Sequence, residues 1–243
     1  MAYVDFQTAI SLVYPPRCLG CGGKVDSDFG LCGPCWRDTA FIGGAMCDTC
    51  GTPLPGEAED DKLTCDDCMK TERPWQNARS ALVYSGNGKR LVLALKHGDR
   101  EEIAKPAASW MARAIAELPL KNVLVAPIPL HWTRMVKRRY NQSALLAQAL
   151  SRETGLPVCP DLLQRKRRTK PLDGMPREVR FTSVKGAIEV HPNRRHRLIS
   201  RPVLLVDDVL TSGATLSAAA DACLAAGSGP VFAVTLARVA RDT

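Results

Sequence analysis

Two adjacent carboxylates, Asp207 and Asp208, close a short apolar run, Val203 to Val206, and open a loop of small residues: Thr211, Ser212, Gly213, Ala214 and Thr215. An apolar stretch at helical spacing, Leu216 to Ala226, follows. The apolar run suits a strand buried on both faces. A strand that turns through such a loop into a helix N-terminus can hold a sugar phosphate. The loop's N–H groups and hydroxyls face the phosphate, and the helix dipole favours the negative charge. The two carboxylates are then within reach of ribose hydroxyls or a bound Mg²⁺.

A second chemistry is written in cysteine. Eight of the ten cysteines form four C-x-x-C pairs: Cys18/Cys21, Cys32/Cys35, Cys47/Cys50 and Cys65/Cys68. Two residues between thiolates let both sulfurs of a tight knuckle bind one metal, and Zn²⁺ takes four such ligands in a tetrahedron. The pairs can join in sequence or alternate, so one or two structural zinc ions are expected in either arrangement. Disulfides are disfavoured without a secretion signal, and redox C-x-x-C motifs do not come in fours. An all-cysteine set leaves no open position for zinc catalysis. Cys159 and Cys223 stand alone and read as buried thiols.

Three basic stretches accompany these. Pro127 to Ser143 carries His131, Arg134, Arg138 and Arg139 ahead of Asn141, a good N-cap for the next helix. Guanidinium forks of this kind suit a pyrophosphate. Arg165, Lys166, Arg167, Arg168 and Lys170, then Arg177, Arg180 and Lys185, lie in a stretch with Pro171, Gly174 and Pro176. It reads as a long loop that closes over a site or meets a nucleic acid. Ala94 to Arg100 ends a helix, where Lys96 and His97 suit the dipole and Gly98 the C′ position.

The elements that must position these groups follow from pattern. With 45% apolar and 24% charged residues the chain is ordinary for a globular protein. No apolar run approaches the ~20 residues that span a bilayer, and the N-terminus carries Asp5 with no basic leader, so a cytoplasmic protein without membrane insertion is expected. Tyr3, Phe6, Ile10 and Val13 share one face of a short N-terminal helix. Residues 1–75 carry a net −6 and residues 76–243 a net +14, which implies two units with different partners, the basic one suited to a polyanion. Residues 1–74 are assigned to the helix and cysteine module and 75–243 to an α/β domain. Expected strands are Ala78–Ser85, Val123–Ile128, Gly186–Val190, Val203–Asp207 and Val231–Val239. Helices are expected over Gly88–His97, Ala104–Leu118, Asn141–Glu153 and the stretch after the glycine loop. Such alternation argues for a mostly parallel sheet covered on both faces, with ligands outside the strands' carboxyl ends.

Val203 to Thr215 resembles the phosphoribosyl pyrophosphate (PRPP) signature of type I phosphoribosyltransferases. The resemblance implies that Thr211 to Thr215 cradle the 5-phosphate while Asp207 and Asp208 lie beside the ribose hydroxyls. Over nearly its whole length the chain is similar to the competence protein F (ComF) family, which joins a double zinc-ribbon module to a type I phosphoribosyltransferase-like domain. The four cysteine pairs, the ALKHGDR stretch, the Pro127–Ser143 and Arg165–Arg180 stretches and the signature occur in the family's order. Tyr140 stands at the aromatic position of its R-x-F-N-Q stretch. Leu172, Ser183 and Ile188 depart from the family's usual glutamine, asparagine and phenylalanine.

That resemblance implies Mg²⁺-PRPP at Asp207–Thr215, and pyrophosphate held by Arg134, Arg138, Arg139, Asn141 and Gln142. It implies a role in handling single-stranded DNA during natural transformation. The expected activity is phosphoribosyl transfer to an unidentified acceptor. The alternative is a non-catalytic module that senses PRPP or a nucleotide and engages single-stranded DNA or proteins of the uptake machinery. Arg165, Lys166, Arg167 and Arg168 are then the nucleic-acid contacts.

Overall fold

The computed structural model describes residues 15–26, 30–56, 62–97, 99–131, 135, 140–167, 169 and 174–240. The expected N-terminal helix lies outside them. The cysteine module contributes two short helices, α1 (Gly33–Arg37) and α2 (Asp66–Lys70), each with the first cysteine of a C-x-x-C pair, Cys32 or Cys65, at its N-cap position. Beyond it run β1 (Asn77–Val83), α3 (Gly86–His97), α4 (Ala104–Ala114), β2 (Leu124–Pro127) and α5 (Gln142–Thr154). Then come β3 (Leu163–Arg165), α6 (Arg177–Val184), β4 (Ile188–Val190), β5 (Val203–Leu210), α7 (Ala214–Ala225) and β6 (Val231–Arg238).

Four strands form one sheet in the order β1-β6-β5-β2, and every pairing in it is parallel. Alternation along β5 divides the core in two. Leu204 and Val206 join the cluster beneath α3, α4 and α5, where Leu91, Leu95, Met111, Leu146 and Leu150 pack. Val203 and Leu205 join the opposite cluster with Leu216, Ala219, Ala220 and Cys223 of α7. Parallel strands covered on both faces need apolar residues at every position, and β6, VFAVTLAR, is buried throughout.

Two expectations need correction. Gly186–Val190 was assigned to the parallel sheet, but β4 pairs antiparallel with β3 in a separate two-stranded ribbon. Only three residues long, β3 ends in Arg165 and hides at the head of the basic run. The expected long loop after it is broken by α6. The other correction concerns β5, which does not stop at Asp207. Its neighbour β6 continues beside it from Asp207↔Thr235 to Leu210↔Arg238, whereas β2 ends at Pro127↔Val206. The two aspartates are therefore held in a strand whose β2 side has just been vacated.

Candidate phosphate site and metal centres

Strand β5, the glycine loop and the start of α7 enclose a small concavity lined by Asp207 and by Val209 to Leu216. Gly213 is the N-cap of α7 with φ +83°, a conformation glycine adopts without strain. Having no side chain, it caps none of the first-turn amides of α7; Ser212 Oγ accepts a long bond from Ala214 N at 3.4 Å, and N–H donors at a helix start of this kind suit an anion. Thr211 is exposed, Ser212 and Thr215 are half-buried, and Gly213 and Ala214 are buried.

The acidic pair is divided between two partners. Asp207 Oδ1 accepts from Ser143 Oγ at 2.8 Å and from the Asp208 amide at 2.9 Å. Asp208 Oδ1 lies 3.1 Å from Lys96 Nζ. Burial and the neighbouring Asp208 carboxylate push Asp207 up to about 7, against the opposing pull of Ser143, the Asp208 amide and Lys96. Two carboxylates so placed are poised to take a cation or hydroxyl donors, since either would relieve their mutual repulsion.

Lys96 and Ser143 were not assigned to the site from sequence. Lys96 occupies the last turn of α3, where dipole stabilisation alone would account for it. Only the packing of α3 against α5's approach brings it over β5. Tyr140 Oη donates to Leu95 O at 2.7 Å and Gln142 Nε2 to Lys96 O at 3.5 Å. Asn141 caps α5 as expected, accepting from Ser143 N at 3.1 Å, and its Nδ2 donates to Ile128 O at 3.0 Å. Its side chain thus fixes the end of the loop beside the site, and Gln142 is buried behind it. Arg134, Arg138, Arg139, Arg168 and Leu172 lie outside the described residues. The remaining nucleic-acid candidates, Arg165, Lys166 and Arg167, gather at the β3–β4 ribbon. Arg165 donates to Thr169 Oγ1, Lys166 pairs with Glu189 and Arg167 donates to Lys185 O.

The cysteine pairs join in sequence. Cys18, Cys21, Cys32 and Cys35 form one cluster and Cys47, Cys50, Cys65 and Cys68 another, each with its sulfurs within 4.8 Å of one another. A tetrahedron with Zn–S bonds of ~2.3 Å has sulfurs ~3.8 Å apart. Cys21–Cys32 at 3.7 Å and Cys50–Cys65 at 3.6 Å match it. Backbone amides of Gly20 and Cys32 donate to Cys18 Sγ at 3.3 and 3.2 Å, which suits a thiolate. In the second cluster the Cys47 thiol, with Arg238, holds Cys50 down to about 4, while burial and then Cys50 push Cys68 up to about 11. A divalent cation removes that conflict by taking all four sulfurs as thiolates. Both Cys₄ sites fit zinc ribbons.

Fold and sites together define a double zinc-ribbon protein whose second unit is a parallel-sheet α/β domain carrying an acidic strand, a glycine loop and a helix N-terminus at one end. A double zinc ribbon domain model matches residues 9–69. The DNA utilization protein YhgH of Escherichia coli is 30% identical over 218 residues, covering 86% of this chain and 91% of that protein. Competence protein F of Haemophilus influenzae is 28% identical over 207 residues, covering 83% and 87%. Adenine phosphoribosyltransferase from Thermoanaerobacter pseudethanolicus is structurally similar with a TM-score of 0.36 and 16% identity, over 59% of this chain and 83% of that one. The chain belongs to the ComF family of competence and DNA utilization proteins. Among the described residues, no helix is long and apolar enough to cross a membrane.

Proposed function

We propose that the α/β domain is a type I phosphoribosyltransferase-like unit that binds PRPP with Mg²⁺, in a cytoplasmic protein serving DNA uptake. The observation that carries the reading is the acidic pair of β5 set beside a glycine loop that runs into the N-terminus of α7. A 5-phosphate meets the amides and hydroxyls of Thr211, Ser212, Gly213, Ala214 and Thr215 together with the positive end of the helix. Asp207 and Asp208 meet the ribose hydroxyls and the cation. Arg134, Arg138 and Arg139 belong to the stretch that, in the family's pattern, serves the pyrophosphate. When bound, Mg²⁺ neutralises pyrophosphate charge and makes it a better leaving group.

The chain's own residues contribute position and charge. Ser143 and the Asp208 amide fix the Asp207 carboxylate, and Lys96 holds Asp208 until a ligand competes for it. In transfer to an acceptor, the bond from the anomeric carbon to pyrophosphate breaks as the nucleophile's bond forms, and the aspartates stabilise the positive charge developing on the ribosyl group. Hydrogen exchange read by mass spectrometry tests the site. PRPP with Mg²⁺ is expected to slow exchange of amides in 207–217 and of α5's first turn. Protection confined to the β3–β4 ribbon, or none, would refute this placement.

A further inference from the structure

Two buried arginines grip the glycine loop from the second zinc ribbon. Arg238, at the end of β6, is 6% exposed. Its Nε donates to Thr52 Oγ1 at 2.6 Å, its Nη2 to Cys50 Sγ at 3.3 Å and its Nη1 to the Thr211 carbonyl at 3.3 Å. Thr52 itself pairs with Cys50 Sγ at 3.1 Å. Arg73 has a side chain only 2% exposed and is paired with Asp67 Oδ2 at 2.7 Å. Its Nη1 donates to the Ser212 carbonyl at 3.0 Å, and its guanidinium lies over the Trp75 ring at 5.5 Å. Trp75 Nε1 in turn donates to Thr49 O at 2.8 Å. Asp67 lies between Cys65 and Cys68, and Thr49 between Cys47 and Cys50. Each of these ribbon partners is thus a ligand, a residue inside a knuckle or, for Thr52, two residues beyond a ligand.

These contacts set the direction of the loop's donors. With no cis peptide among the described residues, each N–H of the loop points opposite to the carbonyl of the residue before it. Drawing the carbonyls of Thr211 and Ser212 toward the guanidiniums turns the amides of Ser212 and Gly213 the other way, as donors for an anion. Gly213 also packs directly against Arg73 and Trp75. A Cβ there would lie 2.9 Å from Trp75 Cη2 and 3.1 Å from Arg73 Nη1. Buried guanidiniums persist only beside negative partners. Arg73 has Asp67; Arg238 has Cys50, which in a Cys₄ zinc site belongs to a doubly negative cluster. The first ribbon reaches α3 instead, through Arg90 Nη2 to Gly20 O at 2.8 Å and Asn87 Nδ2 to Cys35 O at 3.1 Å.

We propose that Arg73 and Arg238 are positioning residues that carry the geometry of the Cys47–Cys50–Cys65–Cys68 site to the phosphate loop, so that PRPP binding depends on metal in the second ribbon. The inference rests on the PRPP reading above and adds its regulation. Linkage is reciprocal: if zinc in that ribbon strengthens the ligand, the ligand strengthens that zinc by the same factor.

Competition with a zinc-selective chelator, with and without saturating PRPP and Mg²⁺, reads the factor directly. One of the two zinc ions is expected to bind about tenfold more tightly with PRPP present, the size set by two charge-assisted hydrogen bonds. Cys21→Ser, which weakens the first ribbon alone, is expected to leave that protection intact. Arg238→Met and Arg73→Met are expected to keep both zinc ions, weaken PRPP about tenfold and lose the protection. Arg238→Lys should not restore it, because one ammonium cannot bridge Thr52, Cys50 and Thr211. Calorimetric PRPP binding with neither zinc protected, or unchanged affinity in both arginine variants, would overturn the coupling and leave the PRPP site standing. A wild-type chain that binds no PRPP would overturn both.

Discussion

Replacing Asp207 by asparagine should make the protein more stable while removing its ligand affinity. The carboxyl is pushed from 3.8 up to about 7 in the folded chain, first by burial and then by Asp208. A raised folded value means that the folded state holds the proton more tightly than the unfolded chain. The stability this gives is complete below about pH 4 and is lost as pH rises toward 7. Asparagine has no proton to lose. Its Oδ1 can still accept from Ser143 Oγ and the Asp208 amide, as Asp207 does. At about 1.4 kcal/mol per pKa unit the ceiling on the gain is about 4 kcal/mol. Partial solvent access and relaxation reduce this to about 1–3 kcal/mol, or roughly 3–9 °C for a chain of this size. Thermal unfolding of zinc-loaded wild type and Asp207→Asn at pH 5 to 8.5, without phosphate, measures it. The difference should already stand at roughly a third of its plateau at pH 5 and reach that plateau near pH 8. A variant that is less stable at pH 8, or a difference that does not change with pH, would refute the reasoning.

Further outcomes follow from the same geometry. Lys96 and Asp208 should show a coupling energy of about 1–3 kcal/mol in a double-mutant cycle with Lys96→Met and Asp208→Asn, from urea midpoints at constant m; coupling near zero would remove Lys96 from the site. Metal analysis should find two zinc ions per chain, unchanged by Cys159→Ser with Cys223→Ala, since both thiols are buried away from the clusters; a single zinc would contradict two closed sites. Alanine at Arg165, Arg167 and Arg168 should make the salt dependence of single-stranded DNA affinity shallower by about 2 in the log–log slope. An unchanged slope would take the β3–β4 ribbon out of any DNA path.

Sequence reading succeeded where chemistry and local geometry coincide. The cysteine knuckles are local in sequence, so their metal-binding character needs no tertiary knowledge, although only the fold decides that pairs join in sequence rather than alternate. The strand–loop–helix run from Val203 is likewise continuous, and its elements lie where pattern placed them apart from the extra length of β5. What escaped was contributed from a distance. Lys96 reaches Asp208 from a helix more than a hundred residues earlier, and its position in a last turn already had a sufficient local explanation. Arg238 carried a weak signal: a cation ending a strand otherwise free of charge, opposite Leu210. Arg73 and Trp75 looked like a linker because Pro74 separates them. In the fold they are the seam between ribbon and loop.

Asp207 and Asp208 with the loop Thr211–Thr215 are the PRPP site proposed above. Isothermal titration of zinc-loaded protein with PRPP tests it most directly, run with Mg²⁺, without it, and on the Asp207→Asn/Asp208→Asn variant. Saturable binding is expected at one site per chain, requiring Mg²⁺ and disappearing in the double variant while zinc content is retained. No saturable heat from the wild type, or equal binding by the double variant, would contradict it.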